Sequence, residues 1–177
     1  MPGAVAGEVP SAAGLERSSF ADFYARNYRA VLKVALAMTG SPAVAEDLAQ
    51  EAFARAYRRW DEVAGYERPD AWVRAVAANL ARSMFRRRAS EAKAMARLAL
   101  RRPPEADPIP AEAAAFWTAV RALPGALPQV VALRYVADLS VLEIAQTLGR
   151  PENTVKSDLR RARKRLARTL RTAEAAE

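Results

Sequence analysis

Four prolines within residues 103–110 divide the chain into two stretches of helical sequence. Prolines so close together end helices and favour extended chain, because each lacks an amide hydrogen and clashes with the preceding turn. The segment 89–111 is therefore predicted to be a linker between two separately folded units. The predicted division is a flexible tail 1–18, a first unit 19–88, the linker 89–111, a second unit 112–171 and a tail 172–177.

Three segments of the first unit carry apolar residues at intervals of three and four, the period of an amphipathic helix. The first helix is predicted to begin at Ser19 and to end before Gly40. The second begins at Pro42, a favoured residue in a first helical turn, and runs to about Trp60. The third follows a turn-like stretch, 61–69. Three such helices are enough for one small bundle.

The second unit contains the pattern of a helix-turn-helix. Ser140 and Glu143 are spaced as a capping box, which predicts a short helix that begins at the next residue after Ser140. Gly149 then supplies a tight turn, and Pro151 opens a longer helix. At 100° per residue, the buried stripe of that longer helix is predicted to consist of Val155, Leu159, Ala162 and Leu166.

The opposite face of the longer helix carries donor groups that suit DNA. Asparagine pairs with adenine, arginine pairs with guanine, and serine reaches phosphate. A basic face alone is usually only solvated, but here it follows a capped helix and a glycine turn. This combination predicts a DNA-binding surface made of Asn153, Lys156, Ser157, Arg160, Arg161 and Lys164.

Composition narrows the possible functions. The chain has 28 Lys and Arg against 20 Asp and Glu, a net charge of +8, which favours a polyanionic partner. It has no Cys and no His, so disulfides, Cys/His zinc sites and histidine bases are excluded. No secretory signal or membrane-spanning run is visible, so we expect a cytoplasmic protein that is not itself a membrane protein. No metal, cofactor, catalytic residue or small-molecule substrate is expected.

Two stretches resemble a known family. AEDLAQEAFARAYRRW is similar to region 2 of the bacterial sigma-70 family, and LPGALPQVVALRYVADLSVLEIAQTLGRPENTVKSDLRRARKRL is similar to region 4. The similarity covers about 20–90 and 112–171, and only these two regions are present, which resembles the extracytoplasmic-function (ECF) group. The resemblance implies an all-α chain of two small helical domains, a region-2 bundle and a C-terminal helix-turn-helix domain, joined by the Pro-rich linker.

The resemblance also implies partners. A sigma factor binds core RNA polymerase, directs it to the −10 and −35 elements of promoter DNA and promotes melting of the DNA. Asp47, Gln50 and Glu51 match the positions by which the family grips the coiled coil of the polymerase β′ subunit, and contact with the β subunit is implied too. A further partner that the resemblance implies, from the way in which the family is usually controlled, is an anti-sigma factor.

Site residues follow by position. The stretch 61–69 and Asn79 match the part of the family that captures a flipped base of the −10 element, and Arg86, Arg87 and Arg88 would hold phosphates. Lys156, Ser157, Arg160 and Arg161 match positions that read the −35 element.

The sequence departs from the family pattern at three places. Asp158 stands where a basic residue is usual, so it either reads a cytosine amine or pairs with Arg161 or Arg165. Ser83 stands where Asp is common. The run 125–127, Gly-Ala-Leu, replaces a polar and basic run.

Alternatives to a sigma factor remain at this point. A helix-turn-helix regulator that binds operators without joining the polymerase would not need the Asp47–Glu51 face. A helical interaction module would show no salt-sensitive affinity for DNA, and an enzyme is the least expected class. The Pro-rich linker suggests that the two domains are mobile or arranged by a partner.

Overall fold

The computed structural model describes residues 12–95 and 111–174, and within them the chain forms helices, turns and short loops without any strand. The first unit ends with α4, and the second begins with α5. In chain order the helices are α1 (Ala12–Thr39), α2 (Pro42–Arg58), α3 (Trp60–Val63), α4 (Pro69–Met95), α5 (Ala111–Arg121), α6 (Leu127–Tyr135), α7 (Val141–Leu148) and α8 (Glu152–Glu174).

An aromatic core holds the first unit together. Phe23 of α1 lies 4.9 Å from Trp60 and 6.1 Å from Phe53, measured between ring centroids. All three rings are buried, and Val73 and Ala77 of α4 complete the same cluster. Such tilted aromatic pairs stabilise a core beyond the area that they bury. The core fixes α2 and α4 side by side, and these helices carry the predicted polymerase and −10 residues.

The second unit forms the predicted helix-turn-helix from α7 and α8. The Ser140 Oγ accepts from the Glu143 amide while the Glu143 side chain accepts from the Ser140 amide, so the predicted capping box is present. Gly149 ends α7 with a φ of 59°, a left-handed conformation that glycine adopts without strain. Ile144, Ala145, Val155 and Leu159 pack in one buried cluster, which sets the angle between the two helices.

The two units pack directly on each other. One apolar cluster joins Val34 and Met38 of α1 and the alanine stripe of α4 to the core of the second unit around Leu133 and Leu139. We call this surface the interdomain seam. The members of the alanine stripe are Ala71, Ala75, Ala78 and Ala81.

Polar contacts surround the seam. The Gln129 Nε2 donates to the Asn79 Oδ1 at 2.7 Å, the Arg74 guanidinium donates to the Ala137 carbonyl at 3.3 Å, and Arg68 forms an ion pair with Glu143. At the far side, Arg121 of α5 donates to the carbonyl of Ala37 at 3.4 Å, near the end of α1. The linker suggested domains that are mobile or arranged by a partner, whereas in this structure the two units pack directly on each other.

Arg121 also explains why a glycine ends α1. A Cβ atom at Gly40 would lie 3.0 Å from the Arg121 guanidinium, and the residue has a φ of 69°. Both the close approach and the left-handed backbone favour glycine here.

Several predicted boundaries were wrong. Ser19 lies inside α1, which already begins at Ala12, so 12–18 are helical and not a tail. Helix α4 continues to Met95, so the first part of the predicted linker is helical. The arginine run and the alanines that follow it are good helix formers, which allows the helix to extend. Residues 96–110 of the linker, the tail before Ala12 and residues 175–177 lie outside the described residues.

Two further segments are helical where a turn or a tail was predicted. The stretch 61–69 is not all turn, because Trp60–Val63 form the short helix α3. Helix α8 extends through 172–174, which we expected to be a tail.

Candidate nucleic-acid interface

The six residues predicted to face DNA all lie on the exposed side of α8. The predicted stripe on the other side, Val155, Leu159, Ala162 and Leu166, is buried, with at most 6% of any residue exposed. The stripe packs against α5, α6 and α7, and this packing fixes which face of α8 points outward. The exposed residues are Asn153, Lys156, Ser157, Arg160, Arg161 and Lys164.

The polar partners of these residues differ. Lys156 forms an ion pair of 2.7 Å with Glu152, one helical turn earlier, and the Ser157 hydroxyl donates to the Thr154 carbonyl at 2.9 Å. Within the described part of the chain, Arg160 and Lys164 form no ion pair. Exposed pairs are weak, so DNA phosphates can replace the Glu152 contact at little cost.

Asp158 differs from the exposed polar residues of α8, because its side chain is only 3% exposed. Its Oδ2 accepts from the Arg150 guanidinium at 2.5 Å, and its Oδ1 accepts from the Arg161 guanidinium. Burial opposes ionisation of the carboxyl, but the hydrogen bonds from Arg161 and Arg150 outweigh it, so the pKa of Asp158 is lowered. Of the two roles left open for Asp158, the pairing with Arg161 is the one observed. A side chain so enclosed does not reach a base edge.

The predicted −10 residues of α4 line one groove between α2 and α4, whereas the stretch 61–69 does not contribute to it. This groove has a volume of about 800 Å³, and Asp47, Asn79, Ser83 and the arginines at 86–88 lie along it. All of these side chains are exposed, including the serine at the position where the family often has Asp. The groove is basic along α4, and its α2 side carries both Asp47 and Arg55.

Asn79 is exposed, but its amide oxygen already has a partner in the second unit. Its Oδ1 accepts from Gln129 of α6, a residue that is only 1% exposed. The second unit therefore occupies a hydrogen-bonding atom of the predicted base-reading residue.

A second pocket lies beside Asn79, with a volume of about 270 Å³, and it is lined by aromatic and basic groups. The Arg59 guanidinium lies 5.8 Å from the centroid of the Trp72 ring, and Arg55 and Arg58 complete the basic side. Helical spacing groups Trp72 with the apolar residues of α4, yet its ring is only partly buried. Its neighbour Tyr66, at 6.2 Å, lies in the loop at 61–69 and could have suggested a stacking site.

The predicted polymerase face on α2 is exposed, but one of its members is already paired. Asp47 and Gln50 are exposed, whereas Glu51 binds Arg55 at 2.7 Å and Arg58 at 3.5 Å. The hydrogen bond from Arg55 is the main reason why the pKa of Glu51 is lowered. Asp47 is therefore the carboxylate on this face that has no ion pair within the described residues.

Two negative findings apply to 12–95 and 111–174. No cluster of three acidic side chains is arranged to hold a metal ion. None of the helices there is long and apolar enough to cross a membrane.

The fold and these surfaces define a class, an all-helical two-domain protein with a DNA-binding helix-turn-helix. Comparison with known proteins gives the family. Residues 23–91 match Sigma-70 region 2, and residues 113–166 match Sigma-70, region 4. The chain belongs to the sigma-70 family, in its ECF group.

Named relatives agree with the family. An RNA polymerase sigma-E factor of Streptomyces antibioticus is 34% identical over 143 residues, which are 81% of this chain and 79% of the relative. The ECF RNA polymerase sigma factor SigW of Bacillus subtilis (strain 168) is 28% identical over 170 residues, 88% of this chain and 91% of the relative.

Solved structures share the fold. The sigma factor RpoE, in a co-crystal structure with the anti-sigma factor NepR from Bartonella quintana, has a TM-score of 0.67 at 22% identity, with 87% of this chain and 98% of that chain covered. CnrH, in complex with the cytosolic domain of CnrY, has a TM-score of 0.62 at 21% identity, with coverages of 88% and 90%. The resemblance to the family is thus confirmed. The protein is a sigma factor, a transcription initiation factor that binds core RNA polymerase and directs it to promoters.

Proposed function

We propose that three surfaces of this chain divide the work of a sigma factor. The α2 face binds core polymerase, the groove between α2 and α4 binds the −10 element, and the outer face of α8 binds the −35 element. The observation that carries the proposal is that one chain presents both an exposed acidic helix face and a helix-turn-helix with a buried stripe opposite six exposed donors. An operator-binding regulator would need only the second.

The polymerase-binding surface consists of Asp47, Gln50 and Glu51. Asp47 meets a basic partner directly, since no internal ion pair competes for it within the described residues. Glu51 must exchange Arg55 and Arg58 for partner groups, which costs little because the pair is exposed. An acidic and polar face of this kind fits a basic coiled coil such as that of the β′ subunit, and contact with the β subunit accompanies it.

The −10 surface consists of Asn79 and the arginines at 86–88. The arginines hold phosphates along the groove. Asn79 reads a base that has left the stack, and the neighbouring Trp72 ring supplies a stacking surface for an unpaired base. Extrusion of a base costs a few kcal/mol of unstacking, so a pocket that holds the base favours the melted strand.

The −35 surface is α8. In this proposal Arg160 and Asn153 read base edges. Their exposed neighbours on the same helix are Lys156, Ser157, Arg161 and Lys164. This division makes Arg160 the residue on which sequence preference most depends, since its guanidinium carries no internal partner within the described residues.

The closed arrangement of the two units bears on this function. The Oδ1 of Asn79 accepts from Gln129 in the closed form, so a promoter base that uses this acceptor competes with the second unit, and capture of the −10 element favours opening of the interdomain seam. Polymerase and promoter then act as ligands that select the open form.

We further propose control by an anti-sigma factor. The two fold relatives named above were solved in complex with such a factor, NepR, or with the cytosolic domain of CnrY. The protein acts in the cytoplasm, where polymerase and promoter DNA are, and contributes binding and positioning but no catalytic group of its own.

The test is transcription in vitro with a bacterial core polymerase, with and without this protein, on a pool of genomic promoter fragments. Discrete transcripts that require the protein, with two shared upstream elements, are the expected result. Absence of transcripts and of core binding, with salt-sensitive DNA affinity retained, would instead support an operator-binding regulator.

A further inference from the structure

Asp158 lies on the DNA-binding helix, yet it is buried and bound to two arginines. One arginine, Arg150, lies in the turn before α8 and is 25% exposed, whereas Arg161 lies on the outer face of α8 and is 64% exposed. Each carboxylate oxygen accepts from one of them. A single carboxylate thus connects the turn of the helix-turn-helix to an exposed cation of the DNA-binding face.

A buried carboxylate is stable only when it is paired and hydrogen-bonded. Because Arg150 and Arg161 satisfy both oxygens, the negative charge is compensated inside the protein and does not repel a nearby phosphate. The pairing also restricts Arg161. An arginine that is free in solution loses rotamer freedom when it binds DNA, and an arginine that is already held loses less.

The surroundings keep a positive potential despite the aspartate. A cleft of about 300 Å³ borders the group, and its charged lining consists of Arg150, Arg161, Arg165 and Asp158. Three guanidinium groups therefore face one carboxylate. Gly125 and Ala126 form part of the wall, where no long side chain fills the cleft. The arrangement favours an approaching phosphate backbone.

We infer that Asp158 is a positioning residue for −35 recognition, which holds Arg161 in the orientation that contacts DNA and couples it to Arg150 in the turn. This inference rests on the proposed role of α8 in reading the promoter. The residue itself touches no DNA and acts through Arg161.

The test measures the affinity of reconstituted holoenzyme for a promoter fragment that the unaltered protein selects from a genomic pool. The variants are Asp158→Asn, Arg161→Ala and the two combined. Asp158→Asn should weaken binding by about 2- to 10-fold, the effect of freeing one long side chain. The combined variant should bind as weakly as Arg161→Ala alone, because Asp158 has nothing left to position.

A matched series uses Arg160→Ala, which removes an exposed arginine that Asp158 does not bind. Combined with Asp158→Asn, its effect should multiply. Arg161→Lys keeps a cation that can still pair with the Asp158 carboxylate, but the ammonium cannot reproduce the planar fork. It should lose nearly as much affinity as Arg161→Ala.

Several outcomes overturn the inference. Asp158→Asn that binds as well as or better than the unaltered protein, or that multiplies with Arg161→Ala, would show that the carboxylate does not act through Arg161. Full affinity of Arg161→Lys would show that charge suffices without orientation. If the unaltered protein selects no promoter at all, the proposed function fails and the inference fails with it. If it does select a promoter, any of the three outcomes above overturns the inference alone.

Discussion

The cationic residues on the outer face of α8 differ in their internal ion pairs, although each carries one positive charge. Arg160 is exposed and carries no internal ion pair within the described residues, whereas Arg161 is held by Asp158 and Lys156 by Glu152. Residue type alone therefore does not show which of these side chains is most available to DNA. Their ion pairs within the protein do show it, and we expect these pairs to decide which substitutions change sequence preference.

Arg160→Ala should reduce affinity for the preferred −35 sequence by about 1–3 kcal/mol and relax selectivity at the base it contacts, because a bidentate contact to a base edge is lost. The measurement is binding of the holoenzyme to a library of −35 variants. Arg163→Ala is the control, since Arg163 is exposed on the flank of the same helix. An equal loss on every sequence would mean that Arg160 contacts only phosphate.

The sequence could predict the exposed face of α8 but not the state of Asp158. The period of α8 placed Val155 and Leu159 inside and Arg160 outside, because a helix has a fixed angle per residue. Asp158 lies at the edge of the buried stripe, where the period does not decide exposure. Its burial depends on Arg150, which precedes the helix and reaches it only through the turn.

At the scale of the helix, two N-caps with the same residue type behave differently. The Ser140 Oγ accepts from the Glu143 amide at 3.1 Å, whereas Ser41, at the start of α2, makes no side-chain cap hydrogen bond. Pro42 leaves α2 with one fewer free amide in its first turn. The two serines therefore form a natural pair for comparison.

Ser140→Ala should lower the free energy of unfolding by about 1 kcal/mol, the usual effect of losing a capping side chain. Ser41→Ala should change it by less than about 0.5 kcal/mol, since no cap hydrogen bond is removed. Urea unfolding of both variants, followed by circular dichroism, makes the comparison. Equal losses would mean that the capping box of α7 does not stabilise the fold.

The acidic face of α2 leads to a prediction about binding of core polymerase. Asp47→Ala combined with Glu51→Ala should weaken core polymerase binding at least about tenfold, because charged contacts at the centre of an interface are worth about 2 kcal/mol or more. Affinity of α8 for DNA should stay the same.

Binding of labelled core polymerase at two salt concentrations provides the measurement. Glu46→Ala is the matched control, because it removes a neighbouring exposed carboxylate of α2 outside the proposed surface. Normal polymerase binding by the double variant would place the partner surface elsewhere.

At the scale of the whole molecule, the interdomain seam could not be predicted from the sequence. Alanines on α4 look neutral in a sequence, since Ala is common on both buried and exposed helix faces. Two neighbouring faces of α4 are in fact buried: Val73 and Ala77 against the aromatic core, and Ala75 and Ala78 against the second unit. The pattern of an amphipathic helix predicts one buried face, so it could not predict both of these faces.

Ala78→Arg should open the closed arrangement, because Ala78 is fully buried in the seam and an arginine there does not fit. The expected result is a larger radius of gyration in small-angle X-ray scattering, with helix content unchanged in circular dichroism. Ala115→Arg, at an exposed position of α5, is the control. An unchanged radius in the Ala78 variant would show that the seam does not hold the units together in solution.

The small size of the seam alanines has a consequence for how this factor competes for polymerase. Each buried alanine contributes little hydrophobic free energy, so closure is held by many weak contacts and can be adjusted one methyl group at a time. The apparent affinity for polymerase is proportional to the fraction of molecules that are open, so a larger closed fraction lowers it. Substitutions along α4 that touch neither polymerase nor DNA would therefore set how large a share of a limited polymerase pool the factor captures.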